Sequence, residues 1–226
     1  MLVALLLLTA PLVLPAPPVS DIVSRATAVI ARGPAHAICQ AESEQMRLGK
    51  QDMVEMSERA AFVRTFTNGT MTDAPPTQRW KDDQALTAEQ VATINGRAAS
   101  KNGETLDEQL RSPFFQPELH EFTLAREETL WGRAVYVLTV TAKKAKGARG
   151  TVWVDAETAV ELKGELVPQE MPSNVDSLMW QEQFEKLPDD SVVRSLIHIE
   201  GRGHFLFFRA ATRFNARVKS CAVQAP

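Results

Sequence analysis

The two cysteines, Cys39 and Cys221, are the clearest candidates for covalent chemistry in this chain of 226 residues. In an oxidising compartment a pair of thiols can persist as a disulfide. A bond between them would close a loop of 182 residues (221 minus 39). In the chain-entropy account a loop of that length stabilises a fold by about 4 to 5 kcal/mol. The alternative is two buried free thiols, and two cysteines alone do not form a zinc motif.

Other residue types that could do chemistry are present, but their spacing is not typical of a reactive site. His198, Glu200 and His204 do not match a fixed metal-ligand spacing, so no metal site is predicted. The acid pairs Asp82–Asp83 and Asp189–Asp190 lie in turn contexts, where solvated carboxylates are expected rather than an acid/base pair. The chain has no Gly-x-Ser-x-Gly elbow and no phosphate-binding loop. These observations predict a protein without catalytic residues or cofactor.

Composition and charge also limit the classes of partner. The chain is 44% apolar and 23% charged, which is typical of a globular protein. Its net charge is −3 at pH 7, and the one short basic stretch, Lys143 to Arg149, is interpreted as a hairpin loop. A nucleic-acid partner is therefore not predicted.

The N-terminus resembles an export signal. Residues 1–20 carry no charge, and the apolar run from Met1 to Leu14 is broken by Pro15-Ala16-Pro17-Pro18. The run is too short to span a bilayer as a helix but is typical of the apolar part of a secretory signal. We therefore predict a signal peptide over 1–20, a single domain over 21–226 and a periplasmic bacterial protein. The alternative is a buried N-terminal helix.

The first half of the chain contains two predicted helices and two predicted strands. Ser20 is expected to cap a helix that begins at Asp21 and stops before Gly33-Pro34. Thr87 and Gln90 form a capping box for a second helix. Alternating and apolar patterns predict strands over 37–46 and 53–66, the second ending at the turn signal Asn68-Gly69.

The second half is typical of an antiparallel β-structure. Short strands with turn signals between them predict a sheet or barrel, mainly β with a few helices (α+β). Leu130 to Arg133 is expected to form a tight turn, and Gly201-Arg202-Gly203 another. The predicted strands cover residues 135–142, 151–155, 160–167, 179–187, 191–200, 204–209 and 214–218.

Three stretches of this half resemble the outer-membrane lipoprotein-sorting (LolA-like) family. The first runs from Glu127 through Trp131-Gly132-Arg133 to Leu138, the second is the basic pair Lys143-Lys144, and the third runs from Gly150 through Trp153-Val154-Asp155 to Thr158. Members of that family often show a strand with glycine, a charged residue, valine and tyrosine, then a basic loop and a second strand with tryptophan and aspartate. The resemblance extends from about residue 112 to residue 218.

The resemblance implies an unclosed antiparallel β-barrel covered by helices, with an apolar concave face that binds acyl chains. It implies no catalysis. Candidates for lining such a cup are apolar or aromatic residues on the predicted strands, and the alternative for each is ordinary core. They are Tyr136, Leu138 and Val140, which share one strand face, with Trp153, Ile197, Ile199, Phe205 and Phe207.

Three functions remain open at this point. The first is a monomeric periplasmic carrier of a hydrophobic ligand, the acyl chain of a lipid or lipoprotein. The second is an interaction or sensor module of the same fold, with a filled core and a protein partner in the cell envelope. The third, a hydrolase, has little support from the residues.

Overall fold

A computed structural model describes residues 16–68, 70–100, 116–145, 147–171, 173–205 and 208–224. Helix α1 covers Val19–Ile30 and helix α2 covers Ala88–Ser100, and a short 3₁₀ turn covers Lys50–Asp52. Within the described residues neither helix has the length and apolar character needed to cross a bilayer.

Twelve strands of the described residues form one antiparallel sheet in which most neighbours are hairpin partners. The order across the sheet is β5-β4-β2-β1-β12-β11-β10-β9-β8-β7-β6, and β3 pairs with β2 beside β4. The strands are β1 His36–Leu48, β2 Val54–Thr67, β3 Thr70–Asp73, β4 Gln78–Lys81, β5 Gln84–Ala85, β6 His120–Leu130, β7 Arg133–Ala142, β8 Ala148–Asp155, β9 Glu161–Pro168, β10 Val175–Lys186, β11 Val192–Phe205 and β12 Phe208–Val223. The end strands β5 and β6 do not pair with each other within the described residues. The predicted fold class, mainly β with an unclosed antiparallel sheet and a few helices, is confirmed.

Helix α1 packs on one face of the sheet through apolar residues at helical spacing. Ile22 and Ala26 are almost completely buried, as the spacing of apolar residues predicts, and Val29 packs against the same core. The prediction that Ser20 caps the helix is wrong. The helix starts at Val19, and the carbonyl of Pro18 accepts the first hydrogen bonds, so Ser20 already lies inside the first turn.

Two local signals in the sequence have the predicted structure. The Thr87 hydroxyl accepts a hydrogen bond from the Gln90 backbone N–H at 3.3 Å, and the Gln90 side chain accepts one from the Thr87 N–H at 2.8 Å. This is the reciprocal capping box that begins α2. Trp131 and Gly132 both adopt left-handed backbone angles (φ 52° and 78°), which gives the tight turn between β6 and β7.

The turn predicted at Gly201-Arg202-Gly203 is wrong, because the chain continues through these residues as part of β11. The backbone of Gly203 passes so close to the Asn174 carbonyl that a side chain there would collide with it. The glycine therefore permits a close approach of two backbones inside a strand, which is a second common use of glycine in sheets. Three short strands, β3 to β5, were not predicted, because they are brief and mostly polar.

Cys39 and Cys221 lie directly opposite each other on β1 and β12 and are joined by a disulfide. Strands β1 to β5 contact the rest of the sheet through the pairing of β1 with β12. The disulfide therefore links the N-terminal and C-terminal strands at the one strand pair where they meet.

Candidate functional site

One row of side chains crosses the sheet and determines where the interior is filled and where it is open. Residues directly opposite each other on antiparallel strands project from the same face, so a register can be followed from strand to strand. From β6 to β4 the row reads Leu124, Leu138, Val152, Gly164, Glu182, Ile197, Ala216, Ser43, Ala60 and Arg79. The members of the row on β6, β7 and β8 have large apolar side chains. Its members on β12, β1 and β2 have small side chains.

Helix α1 covers the part of this face that carries the large side chains. Leu138 and Val152 belong to a buried cluster together with Ile22, Val23 and Ala26 of α1. The C-terminal end of the helix, at Ile30, lines the same cavity as the small residues of β12, β1 and β2. A space lies between this end of α1 and the N-terminal strands.

The space is a cavity of about 620 Å³. That volume lies within the usual range for small-molecule sites, about 300 to 1,000 Å³. Small side chains of the row, Ser43, Ala60 and Ala216, contribute to its wall, as does the C-terminal end of α1. The larger apolar residues that line it are Ile30, Phe62, Phe66, Met71, Phe184, Val192, Val193, Ile197 and Phe214.

Among the predicted cup residues, Ile197 lines the cavity and Ile199 lies beside it. Ile199 packs in one cluster with Ile197 and Phe214, which also lines the cavity. Phe205 ends β11, and its side chain lies outside the described part of the structure, as does the whole of Phe207.

The other predicted cup residues contribute to packed regions. Leu138 and Val140 are buried beneath α1, with Tyr136 packed against them. Trp153 lies in a separate cluster, where its ring nitrogen donates to Glu128 at 2.7 Å and the Lys163 ammonium lies 4.7 Å from the ring centre. These four residues pack in the interior, as the alternative of ordinary core residues would have it.

The aromatic residues of β2 were not among the predicted cup residues. Ala60, Phe62, Arg64 and Phe66 alternate as buried positions along β2, so that all four face the cavity. The period-two alternation was visible in the sequence, but the arginine inside it conceals the apolar pattern. The apolar residues on either side of this arginine at period two, Phe62 and Phe66, were the signal that could have identified this face.

Arg64 is buried as one partner of an ion pair with Asp73. Its Nε and Nη2 donate to the two carboxylate oxygens of Asp73 on the neighbouring strand β3, at 2.7 and 2.8 Å. The guanidinium also lies 5.7 Å from the ring centre of Phe62. This bidentate pair joins β2 to β3 at the cavity wall.

A second group of charged residues lies where the covered and open parts of the face meet. Glu161 and Glu182 are both fully buried, and the Nε of Arg194 lies 3.0 Å from a carboxylate oxygen of Glu182. Gly164 leaves room for the Glu161 carboxyl group, since a side chain at position 164 would overlap with it. Arg194 lines the cavity, so the group extends from the core to the cavity wall.

The environment of Glu161 favours the neutral form of its carboxyl group. Burial raises its pKa well above the ordinary value, and the nearby Glu182 raises this pKa further, while Arg194 opposes the shift. Within the described residues neither Glu161 oxygen has a hydrogen-bond partner.

We expect Glu161→Gln to change how stability depends on pH. Because the folded pKa is raised, the folded state binds the proton more tightly than the unfolded chain, whose carboxyl pKa is about 4.3. This contribution to stability is complete below about pH 4.3 and is lost as the pH rises through the folded pKa. The wild type should therefore lose stability relative to E161Q as the pH increases, by at most about 1.4 kcal/mol per pH unit.

Urea unfolding of both proteins between about pH 4.5 and pH 8 measures this difference. Glu185→Gln provides a matched control, because Glu185 is exposed on the neighbouring strand β10. Parallel stability curves for wild type and E161Q would contradict a raised pKa of Glu161.

The two histidines considered for a metal site make polar contacts with neighbouring side chains. The Nδ1 of His198 lies 2.6 Å from the side-chain oxygen of Asn215, and the Nδ1 of His204 lies 2.7 Å from a carboxylate oxygen of Asp176. Among the described residues no group of three potential metal ligands comes together.

No protein-family model matches the chain, and no curated protein matches it. Solved structures that are similar to the chain include a domain described as an outer membrane lipoprotein-sorting protein from Vibrio parahaemolyticus. It is 14% identical, with a TM-score of 0.45, and the match covers 91% of this chain and 93% of that chain. A DUF1329 family protein from Desulfovibrio piger is 12% identical, with a TM-score of 0.46 and coverage of 92% and 94%. A LolA superfamily protein from Nitrosomonas europaea is 13% identical, with a TM-score of 0.39 and coverage of 93% and 96%.

Proposed function

We propose that the protein is a non-catalytic periplasmic carrier that binds the acyl chain of a lipid or lipoprotein. The observation that carries the proposal is the cavity of about 620 Å³, with its wall of phenylalanine, isoleucine and alanine side chains. Transfer of an acyl chain from water into such a space is favourable by about 0.8 kcal/mol per methylene.

The polar groups of the cavity wall support binding rather than bond-making chemistry. Arg64 is paired with Asp73 in the wall and Arg194 with the buried Glu182 behind it, so each of these two arginines has a carboxylate partner. Apolar rings lie beside both pairs, with Phe62 near Arg64 and Phe184 near Arg194. Such a wall is suited to an apolar ligand.

Two features support a periplasmic location. The apolar run of residues 1–14 resembles an export signal. The disulfide between Cys39 and Cys221 is typical of a protein that folds in an oxidising compartment.

Native mass spectrometry of the protein, purified gently from the periplasm, tests the carrier directly. We expect a bound species that dissociates on activation and that lipid extraction identifies as an acyl compound. A protein that is empty, and that also fails to take up a fluorescent fatty acid, would contradict the proposal and favour the interaction module. Capture of a cell-envelope protein would then be the next experiment.

The pair Ala60 and Ala61 offers a matched test of the cavity. Ala60 is buried at the cavity wall, whereas Ala61 is its neighbour on β2 and projects from the opposite face. We expect Ala60→Phe to fill part of the cavity. Exclusion of only two methylenes of the ligand would cost about 1.6 kcal/mol, which weakens binding roughly 15-fold.

Titration with a fluorescent fatty acid measures this change, and Ala61→Phe should bind as the wild type does. Thermal unfolding of both variants checks that the added ring has not disrupted the sheet, since overpacking costs about 1 to 3 kcal/mol. Equal affinities of a folded A60F and the wild type would place the ligand elsewhere.

A further inference from the structure

The wall of the cavity is positively charged, although the chain as a whole is negative. Its charged residues are Arg64, Arg79, Arg194 and a single acid, Asp73, whereas the chain carries a net charge of −3. Two of these arginines are compensated by Asp73 and by Glu182 behind the wall. The third, Arg79, differs from them in its partners.

Arg79 is held in place by neutral groups. Its Nε donates to the side-chain oxygen of Asn95 on α2 at 3.2 Å. The amide of Asn95 is itself fixed, because its nitrogen donates to the Pro76 carbonyl at 2.9 Å. Within the described residues Arg79 has no carboxylate partner and no acceptor for its two Nη groups. A half-buried guanidinium in this state has the donors and the charge to bind an anion bidentately.

Arg79 also lies at the β4 end of the cross-strand row, next to its small residues. From β4 the row continues through Ala60, Ser43 and Ala216 to Ile197. These five strands have four spacings between them, so the row is about 19 Å long at the usual separation of strands. A cation at one end and an apolar wall along the rest match an amphiphile with an anionic head.

We propose that the ligand is an acyl amphiphile with an anionic head group, a carboxylate or a phosphate, and that Arg79 binds this head. The inference rests on the proposed function, because it assigns the polar end of the ligand whose acyl chain occupies the cavity. Charge complementarity identifies the ligand class: among the arginines of the wall, Arg79 is the one that the described residues leave without a counter-charge.

Calorimetric titration with three amphiphiles of equal chain length tests the proposal: dodecanoate, dodecyl phosphate and dodecanol, each below its micelle concentration. The proteins compared are wild type, Arg79→Gln, Arg79→Lys and Lys81→Gln. Lys81 carries the same charge on the same strand but is exposed and does not line the cavity. It therefore controls for long-range electrostatics.

We expect the wild type to bind at least one of the two anions about tenfold or more tightly than dodecanol, since a hydrogen bond to a charged group contributes about 1.5 to 3 kcal/mol. In R79Q this preference should be lost, because the affinity for the anions falls much more than the affinity for dodecanol. R79K should keep part of the preference and K81Q all of it. Whether dodecanoate or dodecyl phosphate binds more tightly identifies the head group.

Equal binding of dodecanol and both anions by the wild type would overturn the head-group assignment and leave the acyl cavity intact. An unchanged preference in folded R79Q, or an equal loss in K81Q, would also overturn it. If none of the three amphiphiles binds, the proposed function fails and the assignment fails with it.

Discussion

Replacement of Arg194 by methionine is expected to destabilise the protein by about 3 to 5 kcal/mol at neutral pH. The Glu182 side chain is completely buried, and 13% of the Arg194 side chain is exposed, so the pair is removed from water. Loss of the arginine leaves one buried carboxylate beside the carboxyl group of Glu161. The destabilisation arises from that uncompensated charge more than from the lost contact itself.

Urea unfolding at pH 7 measures this loss, and Arg213→Met is the matched control. Arg213 is paired with Glu200, but both side chains are partly exposed, so its replacement should cost about 1 kcal/mol or less. The double variant Glu182→Leu with Arg194→Met removes both charges and should recover much of the lost stability. A double variant that is as unstable as the sum of the two single variants would contradict the explanation.

Loss of the disulfide is expected to reduce the free energy of unfolding by about 4 to 5 kcal/mol, because the bond closes a loop of 182 residues in the unfolded chain. The effect should extend to binding. The bond joins β1 to β12, and the cavity wall includes Ser43 on β1 and Ala216 on β12. Loosening of this pair of strands should therefore weaken ligand uptake as well.

The most direct comparison is between the oxidised protein and the same protein refolded in the presence of a reductant. Reduction breaks the S–S bond and adds one hydrogen to each sulfur, and no residue is replaced. Urea unfolding of both gives the stability difference, and uptake of a fluorescent fatty acid gives the effect on binding. Labelling of the denatured, unreduced protein should detect no free thiols. Two labelled thiols per chain, or unchanged stability after reduction, would contradict this prediction.

Local features of the structure were predictable because their causes lie within a few neighbouring residues. The strand predicted over 135–142 is observed as Arg133–Ala142, since alternating β-branched and apolar residues suit a pleated sheet whichever partner it has. The capping box at Thr87 and Gln90 likewise depends on residues three positions apart. The turn predicted at Gly203 was wrong because the reason for this glycine is not local. A close approach to Asn174, which is distant in sequence, requires it.

Residue types and their alternation were enough to predict the long strands, the two cysteines that could pair and the two faces of each strand. They could not determine which part of a face is open. Leu138 and Ile197 belong to the same cross-strand row and look equivalent as apolar strand residues. Helix α1 covers the first, whereas the second lies beside the small residues of β12, β1 and β2. Only the strand order and the position of the helix distinguish a buried core residue from a cavity wall, because both depend on contacts between residues far apart in the chain.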